Sequence, residues 1–236
     1  MKLYTGDLSP YSAKVRMQIY AMGIEDAIEF VLPPVQFMMG KMSEVSPIGR
    51  IPVLETDDGV IPESEVIAEY IDELYPDRAL LGATATEHAN VRVLSRIGDI
   101  YLMNNVFMSL GQMNPDTRNQ GVVDLLVGQV RRGLGALDKH LSDGPFAAGT
   151  QLTRADCSLV PALWMCSGSV PMLGADNPLT GHDRVTAYWE RIAENEHAAR
   201  IIEEMNRGLK ARMDGTERRM AEEAIARAKA QQTENK

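Results

Sequence analysis

Ser46-Pro47-Ile48-Gly49-Arg50-Ile51-Pro52-Val53-Leu54-Glu55, continued by Asp57-Asp58-Gly59 and then Pro62-Glu63-Ser64, decides how this chain folds. Pro52 stands in a run that otherwise reads as a strand. A proline there cannot donate to the sheet ladder, so it demands either an edge position or a cis bond at a tight bend. Both leave the backbone of Ile51 open to bind something. Asp57-Asp58-Gly59 is a hairpin signal, and the returning strand Val60-Ile61 delivers Glu63 and Ser64 to the start of a helix. Open backbone groups and the donors of a helix start are thereby expected close together.

Upstream, Lys2-Leu3-Tyr4-Thr5 is a short strand, and Ser9-Pro10-Tyr11 opens a helix with Ser at the N-cap and Pro at the first helical position. Val15, Ile19 and Met22 form one stripe of that helix, which Gly23 closes. A strand over 28–32 follows and ends at Pro33-Pro34. Strand, helix and strand of these lengths make a right-handed crossover with parallel strands. The Met-rich segment 35–45 has no clear period. After Ser64 the clearest helix of the chain places Ile67, Tyr70, Ile71 and Leu74 on one face. The order β-α-β, a variable piece, then β-β-α specifies a small four-stranded α/β domain over 1–77. Residues 78–86 read as a linker. Helical patterns then fill 87–111, 119–141, 153–168 and 183–208, an all-α domain taken as 87–213. Thr153-Arg154-Ala155-Asp156 opens the third of these helices with a capping box. The charged tail 214–236 reads as an exposed helix or as disorder.

The net charge of −9 argues against a nucleic-acid partner, which would want a basic face. Residues 1–77 hold 5 basic and 14 acidic side chains, 78–208 hold 12 and 14, and the remainder 7 and 5. An anionic ligand on the first segment therefore needs local donors. No apolar run approaches the roughly 18–20 residues of a membrane span, and no signal-like N-terminus is present, which points to the cytoplasm. Cys157 and Cys166 lack zinc or disulfide spacing and read as buried, reduced thiols. The four histidines are scattered, so no metal site is expected. Lys14 and Lys41 read as surface charges.

Taken together, these motifs resemble the cytosolic glutathione S-transferase superfamily, over nearly the whole chain. Ser9 to Arg16 is similar to the active-site helix start of serine-type, tau-like and bacterial members. Gly49 to Leu54 is similar to the cis-proline motif, Glu63-Ser64 to the γ-glutamyl motif, and Thr153 to Asp156 to the capping motif of the core helix. The resemblance implies a thioredoxin-like N-terminal domain followed by an all-α C-terminal domain. It also implies a homodimer, with glutathione as co-substrate. Ile51 would offer its backbone to the cysteinyl part of glutathione beside a cis Pro52, Arg50 would reach the glycine carboxylate, and Glu63 and Ser64 would take the γ-glutamyl amine and carboxylate. Ser9 would donate to the sulfur, with Ser12 in the same first turn as the alternative donor. A free thiol of pKa about 8.5 is only a few per cent thiolate at neutral pH, and lowering that value by about two is worth roughly 2.7 kcal/mol.

The resemblance implies addition or substitution on a small hydrophobic electrophile. A glutathione-dependent isomerase, reductive dehalogenase or ether-cleaving enzyme would use the same thiolate, and a non-catalytic glutathione- or ligand-binding protein would keep only the fold. With serine where omega-like relatives carry cysteine, mixed-disulfide chemistry is disfavoured. Tyr11, Tyr101, Asn104, Phe107, Met108 and Trp164 are the candidates for the second-substrate pocket, expected between the domains. Of Asn104-Asn105, unusual in an apolar helix, one is expected to face that pocket.

Overall fold

In the computed structural model, which describes residues 1–234, β1 (Lys2–Tyr4) runs into α1 (Pro10–Met22) and returns through β2 (Glu29–Val31), parallel to β1. Ser9 caps α1, its Oγ accepting from the Ser12 N–H at 3.3 Å, and Gly23 ends the helix at φ 62°, a left-handed conformation that costs glycine nothing. The Met-rich segment forms the short α2 (Val35–Met38) and a 3-10 turn at Met42–Glu44, with Met42 buried. Then come β3 (Val53–Thr56), β4 (Gly59–Pro62) and α3 (Ser64–Leu74). The sheet order is β2-β1-β3-β4, with β1–β3 and β3–β4 antiparallel, the thioredoxin-like arrangement.

Helix α1 buries nearly all of its circumference, polar positions included. Lys14, read as a surface charge, is 1% exposed and its Nζ is paired with Glu65 on α3. Gln18 Nε2 donates to the Ala68 carbonyl (2.9 Å) and Asp72 Oδ1 (3.0 Å). A helix covered on several sides has no solvent face for its charges, so each must meet a partner. Lys41 is exposed, as its position suggested.

The chain divides into two units, Met1–Leu74 together with the stretch from Glu203 onward, and Tyr75–Ile202. The second unit is helical. It contains α4 (Ala85–Arg96), a π-helical segment (Ile97–Met103), α5 (Asn104–Ser109), α6 (Gln120–His140), α7 (Arg154–Met172) and α8 (Asp183–Ile192). Helix α9 (Glu196–Met213) begins in this unit and ends in the first, and α10 (Thr216–Glu234) follows. Helix α4 starts two residues before the expected 87 because Thr84 and Glu87 form a capping box. The expected helix 183–208 is two helices, since the side chain of Asn195 accepts from His197 N (3.1 Å) and Ala198 N (3.3 Å) and starts α9 afresh. The tail is helical as far as it is described, and α10 packs on α2; its half-buried residues Ala221, Ala224, Ile225 and Ala228 lie on one stripe.

Asp156 anchors α7. Its carboxylate accepts from Thr153 N (2.8 Å), Thr153 Oγ1 (3.1 Å), Ala147 N (2.8 Å) and the Tyr188 hydroxyl (2.9 Å), and burial raises its pKa against the pull of these donors. Cys157 and Cys166 on the same helix are free and buried, and burial pushes the Cys166 thiol up to about 12.

Candidate functional site

The sheet register brings the motif residues to one end of the first unit. Tyr4 pairs with Val53, and Val53 pairs with Pro62. The segment after β1, the segment before β3 and the segment after β4 therefore leave the sheet from the same end, carrying Ser9, Arg50-Ile51-Pro52 and Glu63-Ser64. Direct packing links the first two, because a β-carbon on Gly6 would lie 3.6 Å from Ile51 Cδ1 while the Gly6 carbonyl accepts from Ser9 N at 3.0 Å.

The Ile51–Pro52 bond is cis, and Ile51 lies just beyond the last paired residue of β3. An extended peptide can add there as a further short strand. Glu63 adopts φ 70°, a left-handed conformation that costs a non-glycine residue about 1–2 kcal/mol. Its carbonyl accepts from Ile67 N (2.9 Å), so Glu63 is the residue that turns β4 into α3; its side chain is exposed, and Ser64, the first helical residue, is buried. Helix α3 begins at this end of the sheet, directly after β4, and a helix N-terminus is a setting that favours a carboxylate.

Charge narrows the site further. Of the five basic residues among the first 77, Lys14 and Arg16 are buried and paired with Glu65 and Glu204, Lys2 bridges Glu55 at 3.5 Å, and Lys41 bridges Glu44 at 3.7 Å. Arg50 is exposed and has no ion pair among the described residues. It is the cation that an anionic ligand could recruit. No group of His, Cys, Asp or Glu able to hold a metal ion occurs among the described residues, nor a helix long and apolar enough to cross a membrane.

The two first-turn serines differ. Ser9 is half-buried, and because its Oγ already accepts the Ser12 N–H, its hydroxyl proton is available for another acceptor. Ser12 is fully buried. Of the pocket candidates, Tyr11 is half-buried on α1, Trp164 half-buried on α7, and Tyr101, Asn104, Phe107 and Met108 are exposed on the π-segment and α5. Asn105 is buried instead, its Nδ2 donating to the carbonyls of Ile100 (3.1 Å) and Tyr101 (2.9 Å). It serves the wide turn of the π-segment, an irregular winding that neither spacing nor composition reveals.

Residues 3–79 match the glutathione S-transferase N-terminal domain and residues 102–196 the glutathione S-transferase C-terminal domain. With the thioredoxin-like unit and the helical unit in that order, the chain belongs to the glutathione S-transferase superfamily. It is 27% identical to a glutathione S-transferase of Pseudomonas putida, over 91% of this chain and 96% of that protein. A stringent starvation protein A homolog of Pasteurella multocida is 24% identical, over 83% of this chain and 87% of its own length. Among solved structures, a glutathione S-transferase of Methylobacterium radiotolerans in complex with glutathione sulfonate superposes with a TM-score of 0.73 at 19% identity, covering 85% of this chain and 93% of that one. That likeness concerns the fold.

Proposed function

We propose that this chain is a glutathione transferase in which Ser9 stabilises the glutathione thiolate for attack on a small hydrophobic electrophile. The observation that carries this is the convergence of Ser9, Arg50-Ile51 and Glu63-Ser64 at one end of the sheet. Glutathione would pair its extended backbone with Ile51. Its γ-glutamyl carboxylate would sit at Ser64 and the α3 N-terminus, its ammonium at Glu63, and its glycine carboxylate at Arg50. A hydroxyl donor beside the N-terminus of α1 then favours the thiolate over the thiol. Full burial of Ser12 supports Ser9 as the donor. The exposed apolar residues Val93, Ile100, Tyr101, Phe107 and Met108 support assembly of a homodimer or binding of the second substrate along that helix.

Ser9→Ala tests the proposal. Glutathione binding should persist, the thiol pKa of bound glutathione should rise, and kcat/KM toward a model electrophile should fall about 10- to 100-fold, equivalent to roughly 1.4–2.7 kcal/mol. An unchanged rate would remove Ser9 from the chemistry. The stringent starvation protein relative, similar over most of both chains, favours a second reading in which the fold binds without turnover. Glutathione binding by the unaltered chain with no turnover across a panel of electrophiles would establish that one.

A further inference from the structure

The loop that presents Ser9 is held from two sides. From α1, the buried Arg16 guanidinium donates to Thr5 Oγ1 (2.5 Å), the Gly6 carbonyl (3.0 Å) and the Asp7 carbonyl (3.3 Å). Arg16 is itself oriented by Glu204 on α9, with Nε to Oε2 at 2.8 Å, and the other oxygen of Glu204 accepts from the Tyr20 hydroxyl at 2.8 Å. One turn further along α9, Arg207 Nε donates to Asp7 Oδ2 at 2.8 Å. The next residue, Gly208, lies so close to the loop that a β-carbon there would sit 2.6 Å from Leu8 N and 2.9 Å from Leu8 Cβ. Every loop residue from Thr5 to Leu8 thus touches Arg16 or α9, and the following residue is Ser9.

We propose that Arg207 and Gly208 of α9, with Glu204 acting through Arg16, are positioning residues that set where the Ser9 hydroxyl stands. The inference rests on Ser9 being the donor to the glutathione sulfur. A hydrogen bond weakens steeply with distance and angle, so a displacement of Leu8 by a few tenths of an ångström alters the thiolate before it alters binding of the rest of glutathione. Arg50, Glu63 and Ser64 lie on other segments, and Ile51 meets this loop at Gly6, two residues before the Leu8 that Gly208 approaches. Because the contact that a β-carbon at Gly208 would meet is backbone, the loop and not a flexible side chain would have to move.

The test measures the thiol pKa of bound glutathione, from thiolate absorbance, together with the glutathione Kd. It uses full-length Gly208→Ala, Arg207→Ala, Arg207→Lys and Ser9→Ala proteins and the Gly208→Ala/Ser9→Ala double variant. Gly208→Ala should raise the bound thiol pKa by about one, a tenfold loss of thiolate at a fixed lower pH, with the Kd changed less than about twofold. Arg207→Ala should act in the same direction, and Arg207→Lys should restore part of the effect. Arg207 is 60% exposed, so its variants keep the test standing if Gly208→Ala folds poorly. In the Ser9→Ala background Gly208→Ala should add nothing, because the donor it displaces is gone. A shift with Ser9→Ala but none with either α9 variant overturns the positioning role. An unshifted thiol in Ser9→Ala refutes the donor assignment itself, and the positioning role with it. A purely structural role for α9 would lower stability without moving the thiol pKa.

Discussion

Asp156→Ala should be among the most destabilising single substitutions in the helical unit. The carboxylate is fully buried and accepts four hydrogen bonds, from Thr153 N and Oγ1, Ala147 N and Tyr188 Oη. Removing it undoes the capping box, worth about 1 kcal/mol. It also strands the Ala147 N–H and the Tyr188 hydroxyl, each at roughly 1–3 kcal/mol when buried without a partner. The expected loss is about 4 kcal/mol, read as a lowered urea midpoint at an unchanged m-value. Tyr188→Phe alone should cost about 1 kcal/mol, since Asp156 keeps its other three donors. In the Asp156→Ala background the same Tyr188→Phe change should be neutral or stabilising, because it deletes a hydroxyl that no longer has a partner. Equal costs of Tyr188→Phe in the two backgrounds would refute the coupling. A loss below about 1 kcal/mol for Asp156→Ala would refute the burial argument as a whole.

Glu204→Ala removes the one carboxylate that pairs with the buried Arg16 guanidinium, leaving it only the neutral acceptors on Thr5, Gly6 and Asp7, and takes the same acceptor from the Tyr20 hydroxyl; about 3 kcal/mol of stability should go with it in urea unfolding, and Arg16→Met with Glu204→Leu should cost less than the two single changes summed. With both cysteines buried and the Cys166 thiol pushed up to about 12, a thiol reagent at pH 8 should label neither in the native protein and both in denaturant. Hydrogen bonds from Ala83 N and Thr84 N lower the pKa of Glu87 on folding. That contribution is present above the ordinary carboxylate pKa and is lost as pH falls through the folded value, so protection of the Ala83 and Thr84 amides from exchange should weaken on acidification, and the pH dependence should vanish in Glu87→Gln. Asn105→Leu removes both donors to the π-segment carbonyls and should lower stability by about 2 kcal/mol, checked by thermal melting.

What could be read along the chain was whatever depends on neighbours in sequence. The Ser9 cap, the Asp57-Asp58-Gly59 hairpin and the Thr153–Asp156 capping box are local devices whose partners lie within a few residues, and each stands where its pattern placed it. A break such as Asn195 was equally local, yet the apolar period continued across it and hid it. Lys14 reads as a surface charge from its neighbours because a lysine on a helix carries no mark of what lies opposite, and its partner Glu65 is 51 residues away. The same distance problem hid Glu204, 188 residues from Arg16, and the approach of Gly208 to Leu8.

Sequence alone determined the element order and the sheet with its proline-marked strand, and it named Ser9, Arg50, Ile51, Glu63 and Ser64 as the candidates proposed to hold glutathione. The tertiary structure decided which end of the sheet gathers them, through the Tyr4–Val53 and Val53–Pro62 register, and of the five basic residues in 1–77 it left Arg50 exposed and without an ion pair among the described residues. It also brought α9 against the loop before Ser9. The division has one physical cause. Caps and turns are satisfied by atoms a few bonds away along the chain, whereas burial, ion pairing and close backbone approach depend on what the rest of the chain brings to the same place.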